Sequence, residues 1–291
     1  MILFVYGTLM KANRAGPVYL SQASYLGPGT LMDYALYDLG GFPGIVKSNE
    51  VRGFPRDRVK GELYDISALD IKDIDRYESE GSLYLRKTLE VQDESENILA
   101  AESYVYNGCV ERHAKIFHEF LPWRPGIGGE LKSKYVWYAA YGSNLSADRF
   151  QEYIGKCFDT SWPIREMAYT IPHPIYFANA SGRWHGKGVA FLDTDMPGRS
   201  YGKIYLLTRE QLAKVHALEG SGTNWYNALV RIGKKDGLDI MIVTHKPGRL
   251  TENPPSKAYL DIIGKGIAET YPHLSEKAIA DYLKKAINHH Q

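Results

Sequence analysis

The 291-residue chain is 44% hydrophobic and carries a formal net charge of +1, enough length and apolar content for about two domains with ordinary cores. A near-neutral balance gives no electrostatic case for nucleic acid or an anionic membrane as partner. Its two cysteines, Cys109 and Cys157, make no disulfide framework, and no run approaches the roughly 18 apolar residues of a membrane helix.

The apolar start, residues 1–10, is too short for a signal peptide and lacks a basic leader, so a cytoplasmic protein is expected. Residues 2–6 read as a first strand ending on Tyr6-Gly7-Thr8-Leu9. Residues 20–37 are mixed strand and loop, Gly40-Gly41-Phe42-Pro43-Gly44 is a turn cluster, and residues 49–58 form a charged loop. Residues 59–66 alternate like a strand. Ser67 with Asp70 has the spacing of a capping box, and Leu69, Ile71, Ile74 and Tyr77 give the following helix a partial apolar stripe that Gly81 ends. Residues 84–91 and 100–106 read as strands joined by an acidic turn, and residues 111–122 as a closing helix.

Domain one is expected over residues 1–125, a Gly- and Lys-rich linker over 126–134, and domain two over 135–291. In the second half, residues 135–141 are a strand ending on Tyr141-Gly142-Ser143-Asn144-Leu145, and residues 146–154 a helix capped by Ser146. Residues 188–192 and 201–207 are strands. Thr208 with Gln211 is a second capping box, opening a helix with Leu212, Val215 and Leu218 on one face and Gly220 at its end. Strands at 229–232 and 240–244 and a mostly helical tail, 256–288, complete the chain.

The two halves repeat one plan. Tyr6 and Tyr141 are 135 residues apart, and each precedes a glycine and a hydroxyl residue. Gly61 precedes Glu78 by 17 residues, as Gly202 precedes Glu219, and each cap residue precedes its glutamate by 11. A glutamate at a helix C-terminus sits at the negative end of the dipole, which favours its protonated form, and burial adds to this. One such residue is ordinarily a solvated surface group; two at the same offset from matching turns point to general acid–base chemistry. Glu80 competes with Glu78 but breaks the spacing. The Tyr-Gly-(Thr/Ser) turns offer backbone N–H groups and a hydroxyl to an anion, without the glycine and lysine pattern of a nucleotide phosphate loop. His113 and His118 have no Cys partner, and no metal site is expected. No Gly-x-Ser-x-Gly elbow supports a serine hydrolase.

These motifs together resemble the gamma-glutamylcyclotransferase superfamily. Val5-Tyr6-Gly7-Thr8-Leu9, Gly61-Glu62-Leu63-Tyr64, Glu78 and Tyr84-Leu85-Arg86 are similar to its gamma-glutamylamine cyclotransferase branch. Tyr138 to Leu145, Leu218-Glu219-Gly220 with Tyr226, and Pro255-Ser256-Lys257-Ala258-Tyr259-Leu260 are more similar to gamma-glutamylcyclotransferase proper. The arrangement looks like a tandem, bacterial-type two-domain member. The resemblance implies an α+β fold of two tandem domains, each a small mixed β-barrel with flanking helices. It implies that the α-amine of a gamma-glutamyl compound attacks its own γ-carbonyl, releasing 5-oxoproline and an amine or amino acid without a cofactor. Glu78 and Glu219 would be catalytic; Tyr6, Gly7, Thr8, Leu9, Tyr84, Tyr141, Gly142, Ser143, Asn144, Leu145 and Tyr226 would bind substrate. Glu78-Ser79-Glu80-Gly81 replaces the commoner Glu-Gly, and no Arg stands two residues past Tyr226, which leaves open whether one half or both are active. The alternative is a module that binds a gamma-glutamyl or amino-acid ligand without turnover. A monomer with pseudo-dimeric halves is expected, since two fused similar domains supply the contacts of a homodimer.

Overall fold

A computed structural model describes residues 1–48 and 56–288; most of the loop expected over 49–58, and His289-His290, lie outside them. The chain divides into two compact units, Met1–Ser133 and Lys134–Gln291.

The first unit contains β1 (Ile2–Val5), a short α1 (Gly16–Tyr19), β2 (Ser24–Met32), β3 (Tyr34–Asp38), β4 (Pro43–Lys47), β5 (Arg58–Asp65), α2 (Ile71–Glu78), β6 (Tyr84–Gln92), β7 (Ile98–Tyr106), β8 (Ala114–Ile116) and α3 (Ile127–Lys134). Five strands close a barrel in the order β1-β5-β2-β6-β7. The first strand runs antiparallel to β5, with Phe4 opposite Leu63, and parallel to β7, with Leu3 opposite Glu102. The nine-residue β2 is long enough to pair with β5 and also with β6, where Leu31 lies opposite Val91 and the barrel closes. Leu3, Val5, Ile66 and Ile74 are buried where the barrel meets α2. Gly61 is required by close approach: a Cβ there would lie 2.2 Å from the Val5 carbonyl oxygen.

Four local expectations give way to tertiary packing. Asp70, not Ser67, caps α2, accepting the Lys72 N–H at 3.0 Å, while the Ser67 hydroxyl donates to Asp65 at 2.6 Å. The helix stops at Ser79, which adopts φ 53°, two residues before Gly81. Residues 111–122 form no closing α-helix: Ala114–Ile116 is a strand on the edge of β3, with Leu36 opposite Ile116, followed by a 3₁₀ turn over His118–Phe120. Part of the expected linker is instead α3, whose Ile127 and Leu131, four residues apart, are buried on one face.

The second unit contains β9 (Tyr135–Ala140), a 3₁₀ turn over Ser143–Leu145, α4 (Ala147–Ile154), β10 (Glu166–Ile171), β11 (Ile175–Ser181), β12 (Lys187–Leu192), β13 (Ser200–Thr208), α5 (Arg209–Glu219), β14 (Ala228–Lys235), β15 (Leu238–Thr244), α6 (Lys257–Thr270) and α7 (Glu276–Asn288). Its main sheet has the order β10-β13-β9-β15-β14. This is the strand order of the first unit opened between β2 and β6. The expected second barrel is therefore an open sheet: β10, the counterpart of β2, has six residues against nine and pairs with β13 alone among the described residues. No element is expected from the sequence over residues 166–181, where β10 and β11 lie. Ser146 stands at the cap of α4 without a side-chain cap hydrogen bond. The capping box of α5 forms as spaced, Gln211 N–H to Thr208 Oγ1 at 3.1 Å and Thr208 N–H to Gln211 Oε1 at 3.1 Å. Leu212 and Val215 are buried, whereas Leu218 is 36% exposed. Phe150 of α4 stacks between Tyr138 and Tyr205. Among the described residues, no helix is long and apolar enough to cross a membrane.

Candidate active sites

In the first unit the turn after β1 folds back on itself. The Met10 N–H and the Asn13 side-chain amide both donate to the Gly7 carbonyl, at 3.0 and 2.8 Å, and the Ala15 N–H donates to that of Thr8 at 3.2 Å. With the carbonyls used in this way, the Thr8 and Leu9 N–H groups have no partner among the described residues. Gly7 permits contact with β4: a Cβ would lie 2.3 Å from Pro43 Cγ. The Tyr77 hydroxyl donates to Thr8 Oγ1 at 3.0 Å, tying the end of α2 to the turn. A small pocket thereby gathers Tyr6, Gly7, Thr8, Leu9, Glu78 and Tyr84, all the residues expected for this half, and adds Pro43 and Tyr104. A larger groove opens elsewhere in this unit around Trp123 and Ile127. It holds none of the paired residues.

The second unit builds the same arrangement. Its pocket, also small, gathers Tyr141, Gly142, Ser143, Asn144, Glu219 and Tyr226, and adds Tyr138, Ala190 and Tyr259. Leu145 does not line it. The 3₁₀ turn carries Leu145 into the core against α6, where a Cβ on Gly266 would lie 2.5 Å from its Cβ. Tyr259 is the addition from the tail: its hydroxyl accepts the Ala190 N–H at 3.1 Å.

The tyrosines are anchored alike in both units. Tyr6 donates to the Tyr104 carbonyl at 2.6 Å and Tyr141 to that of Val243 at 2.6 Å, each on the strand parallel to its own. Tyr84 donates to the carbonyl of Pro43, and Tyr226 to that of Ala190 at 2.7 Å. A phenol whose hydrogen is committed to a carbonyl presents its oxygen as an acceptor. Burial pushes all four tyrosines upward in pKa, so they remain neutral across the physiological range.

Both glutamates are pushed up to about 7, and burial is the first cause in each. For Glu78 burial acts alone. For Glu219 it outweighs a hydrogen bond from Asn144 at 2.7 Å, the Arg149 guanidinium and a hydrogen bond from Tyr153, all of which favour the carboxylate. A carboxyl of that affinity is half-ionised near neutrality and can both accept and return a proton.

A family model described as gamma-glutamyl cyclotransferase, AIG2-like, matches residues 3–124. The chain is 31% identical over 111 residues to the gamma-glutamylcyclotransferase family protein ytfP of Citrobacter rodentium, a match covering 38% of the chain and 86% of that protein. It is 25% identical over 222 residues to histone deacetylase 5 of Arabidopsis thaliana, covering 59% of the chain but only 34% of that relative, about a third of its length. The crystal structure of YkqA from Bacillus subtilis aligns over 99% of this chain and 97% of its own, at 23% identity and a TM-score of 0.39.

Proposed function

The chain belongs to the gamma-glutamylcyclotransferase family, and from that premise we propose that it cyclises gamma-glutamyl compounds to 5-oxoproline with release of an amine or amino acid. The observation that carries the reading is a buried glutamate, pushed up to about 7, facing a Tyr-Gly-(Thr/Ser) turn, present once in each unit. The carboxylate of Glu78 or Glu219 takes a proton from the substrate α-ammonium, whose reference pKa of about 7.7 to 8 is close to that of the glutamate. The freed amine attacks the γ-carbonyl and the C–N bond of the five-membered ring forms; the glutamate returns its proton to the leaving nitrogen as that C–N bond breaks, and the ring nitrogen gives up its second proton, which the departing amine takes so that it leaves as an ammonium. Because nucleophile and electrophile share one molecule, holding it folded supplies much of the rate.

The remaining groups suit the two ends of such a substrate. The unpartnered Thr8 and Leu9 N–H groups favour an α-carboxylate. The tyrosine oxygens, with their hydrogens already donated, accept from an ammonium. No step calls on a cofactor.

The test is 5-oxoproline release from a panel of gamma-glutamyl amino acids and gamma-glutamyl amines, using wild type, Glu78→Gln, Glu219→Gln and the double variant. The double variant is expected to lose release while remaining folded, and the single variants assign the work to one unit or both. Release persisting in the double variant would overturn the assignment of the glutamates. Saturable binding of the panel with no product from the wild type would replace turnover by ligand binding.

A further inference from the structure

Among the differences between the two pockets, one lies in the turn that faces the glutamate. Three residues past the tyrosine, the first unit has Leu9 and the second has Asn144. We propose that Asn144 is a positioning residue of the second unit: its amide fixes one carboxylate oxygen of Glu219 and leaves the other to carry the proton, a constraint the first unit lacks. This rests on the reading of Glu219 as a proton carrier.

Asn144 is 4% exposed and fully committed as a donor. Its Nδ2 gives one hydrogen to Glu219 Oε1 at 2.7 Å and the other to the Tyr138 hydroxyl at 3.1 Å. Its own Oδ1 is buried and has no partner. The amide orientation is therefore set by what the nitrogen holds, since turning it over would place a carbonyl oxygen against the glutamate. Its backbone is clamped as well, the Tyr205 hydroxyl donating to the Asn144 carbonyl at 3.0 Å. Oε1 can accept the Asn144 hydrogen whether Glu219 is charged or neutral, so the proton goes to Oε2. The side chain of Leu9, 2% exposed, has no donor to offer Glu78.

The other groups around Glu219 are Arg149 and Tyr153 of α4, Tyr138 and Tyr141 at the end of β9, Tyr226 before β14 and Tyr259 of α6. The tyrosines are neutral near pH 7, and Arg149 is paired with Glu152. Asn144 and Tyr153 are thus the neutral donors in direct contact with the carboxylate, and Asn144 is the one supplied by the turn. Its removal raises the proton affinity of Glu219, because a hydrogen bond to the charged form is lost and burial remains.

The experiment follows the Glu219 carboxyl itself. Infrared spectra of the full-length chain are recorded across pH, with the corresponding Glu219→Gln spectra subtracted, in wild type, Asn144→Leu and Asn144→Ser. Leucine is the residue of the first unit, and serine is too short to reach Glu219, which guards against one variant failing to fold. The midpoint is expected to move to higher pH in either folded variant, by about tenfold in the ionisation constant. With Glu78→Gln present to isolate the second unit, the acid limb of the kcat profile is expected to move with it. A midpoint that stays in place in a folded variant overturns the inference. A shifted midpoint in a protein that forms no 5-oxoproline leaves the inference standing and removes the proposed reaction instead.

Discussion

Gly7 and Gly142 occupy the same place in the two turns, yet they are not under the same constraint. A Cβ on Gly7 would lie 2.3 Å from Pro43 Cγ and 2.8 Å from its Cδ, atoms of a ring fixed to the backbone of β4. A Cβ on Gly142 would lie 3.0 Å from the Tyr259 hydroxyl, the far end of a side chain, and 3.5 Å from Ala190 Cβ. Gly7→Ala is therefore expected to destabilise by about 1–3 kcal/mol, the usual scale of overpacking, and Gly142→Ala by less. Chemical denaturation of the two variants checks the order; equal losses would show that β4 yields as readily as Tyr259. The sequence displayed both glycines as members of a motif. It did not display Pro43, which reaches the turn from a strand 36 residues away and is visible only once the barrel is built.

At the scale of elements, legibility followed how local the determining interaction is. The α5 capping box depends on residues three apart, and it formed as spaced. The α2 start depended on the Asp65 and N-terminal contacts that engage Ser67, so Asp70 became the cap. The strand β8 and helix α3 are set by partners far along the chain, β3 and the buried face around Asp38, and their Gly- and His-containing sequences read otherwise. The glutamates were legible through their common 17-residue offset from Gly61 and Gly202, whereas the shared 11-residue offset marks a helix cap only in the second unit, since Asp70 caps α2. The residues closing each pocket from elsewhere in the chain, Tyr104 of β7, Ala190 of β12 and Tyr259 of α6, were not. Two variants follow from the caps. Thr208→Ala removes an acceptor for the Gln211 N–H and is expected to destabilise by about 1 kcal/mol. Ser79→Gly relieves a left-handed φ of 53° at the end of α2 and is expected to stabilise by about 0.5–1 kcal/mol. Thermal unfolding reads both, and a lower Tm for Ser79→Gly would mean that its side chain, not its backbone, holds the helix end.

Across the whole molecule, each pocket is lined by residues of its own unit, and each contains one glutamate of raised proton affinity. This makes the folded chain a proton store with a definite sign. A glutamate near 4.5 in the unfolded chain and about 7 in the folded one holds more proton folded than unfolded throughout that interval. Stability from this source is present in full below 4.5 and is lost as pH rises through 7, by up to about 3 kcal/mol per glutamate. The lowered carboxyls Asp65, Asp93, Asp148 and Asp159 act oppositely, but below their ordinary value near 3.8 and so outside this window. At pH 6 unfolding is therefore expected to release about two protons from the glutamate pair, roughly one from each. Denaturation in weakly buffered solution with a pH indicator measures the release. The double Glu78→Gln, Glu219→Gln variant is expected to release about two fewer than wild type, and each single variant about one fewer. The same linkage makes the double variant more stable relative to wild type at pH 8 than at pH 5, because it lacks two carboxylates that are ionised against burial. A double variant that matches the wild-type proton release would show that the two carboxyls keep their ordinary affinity in the folded chain, and with it would go the acid–base role assigned to them.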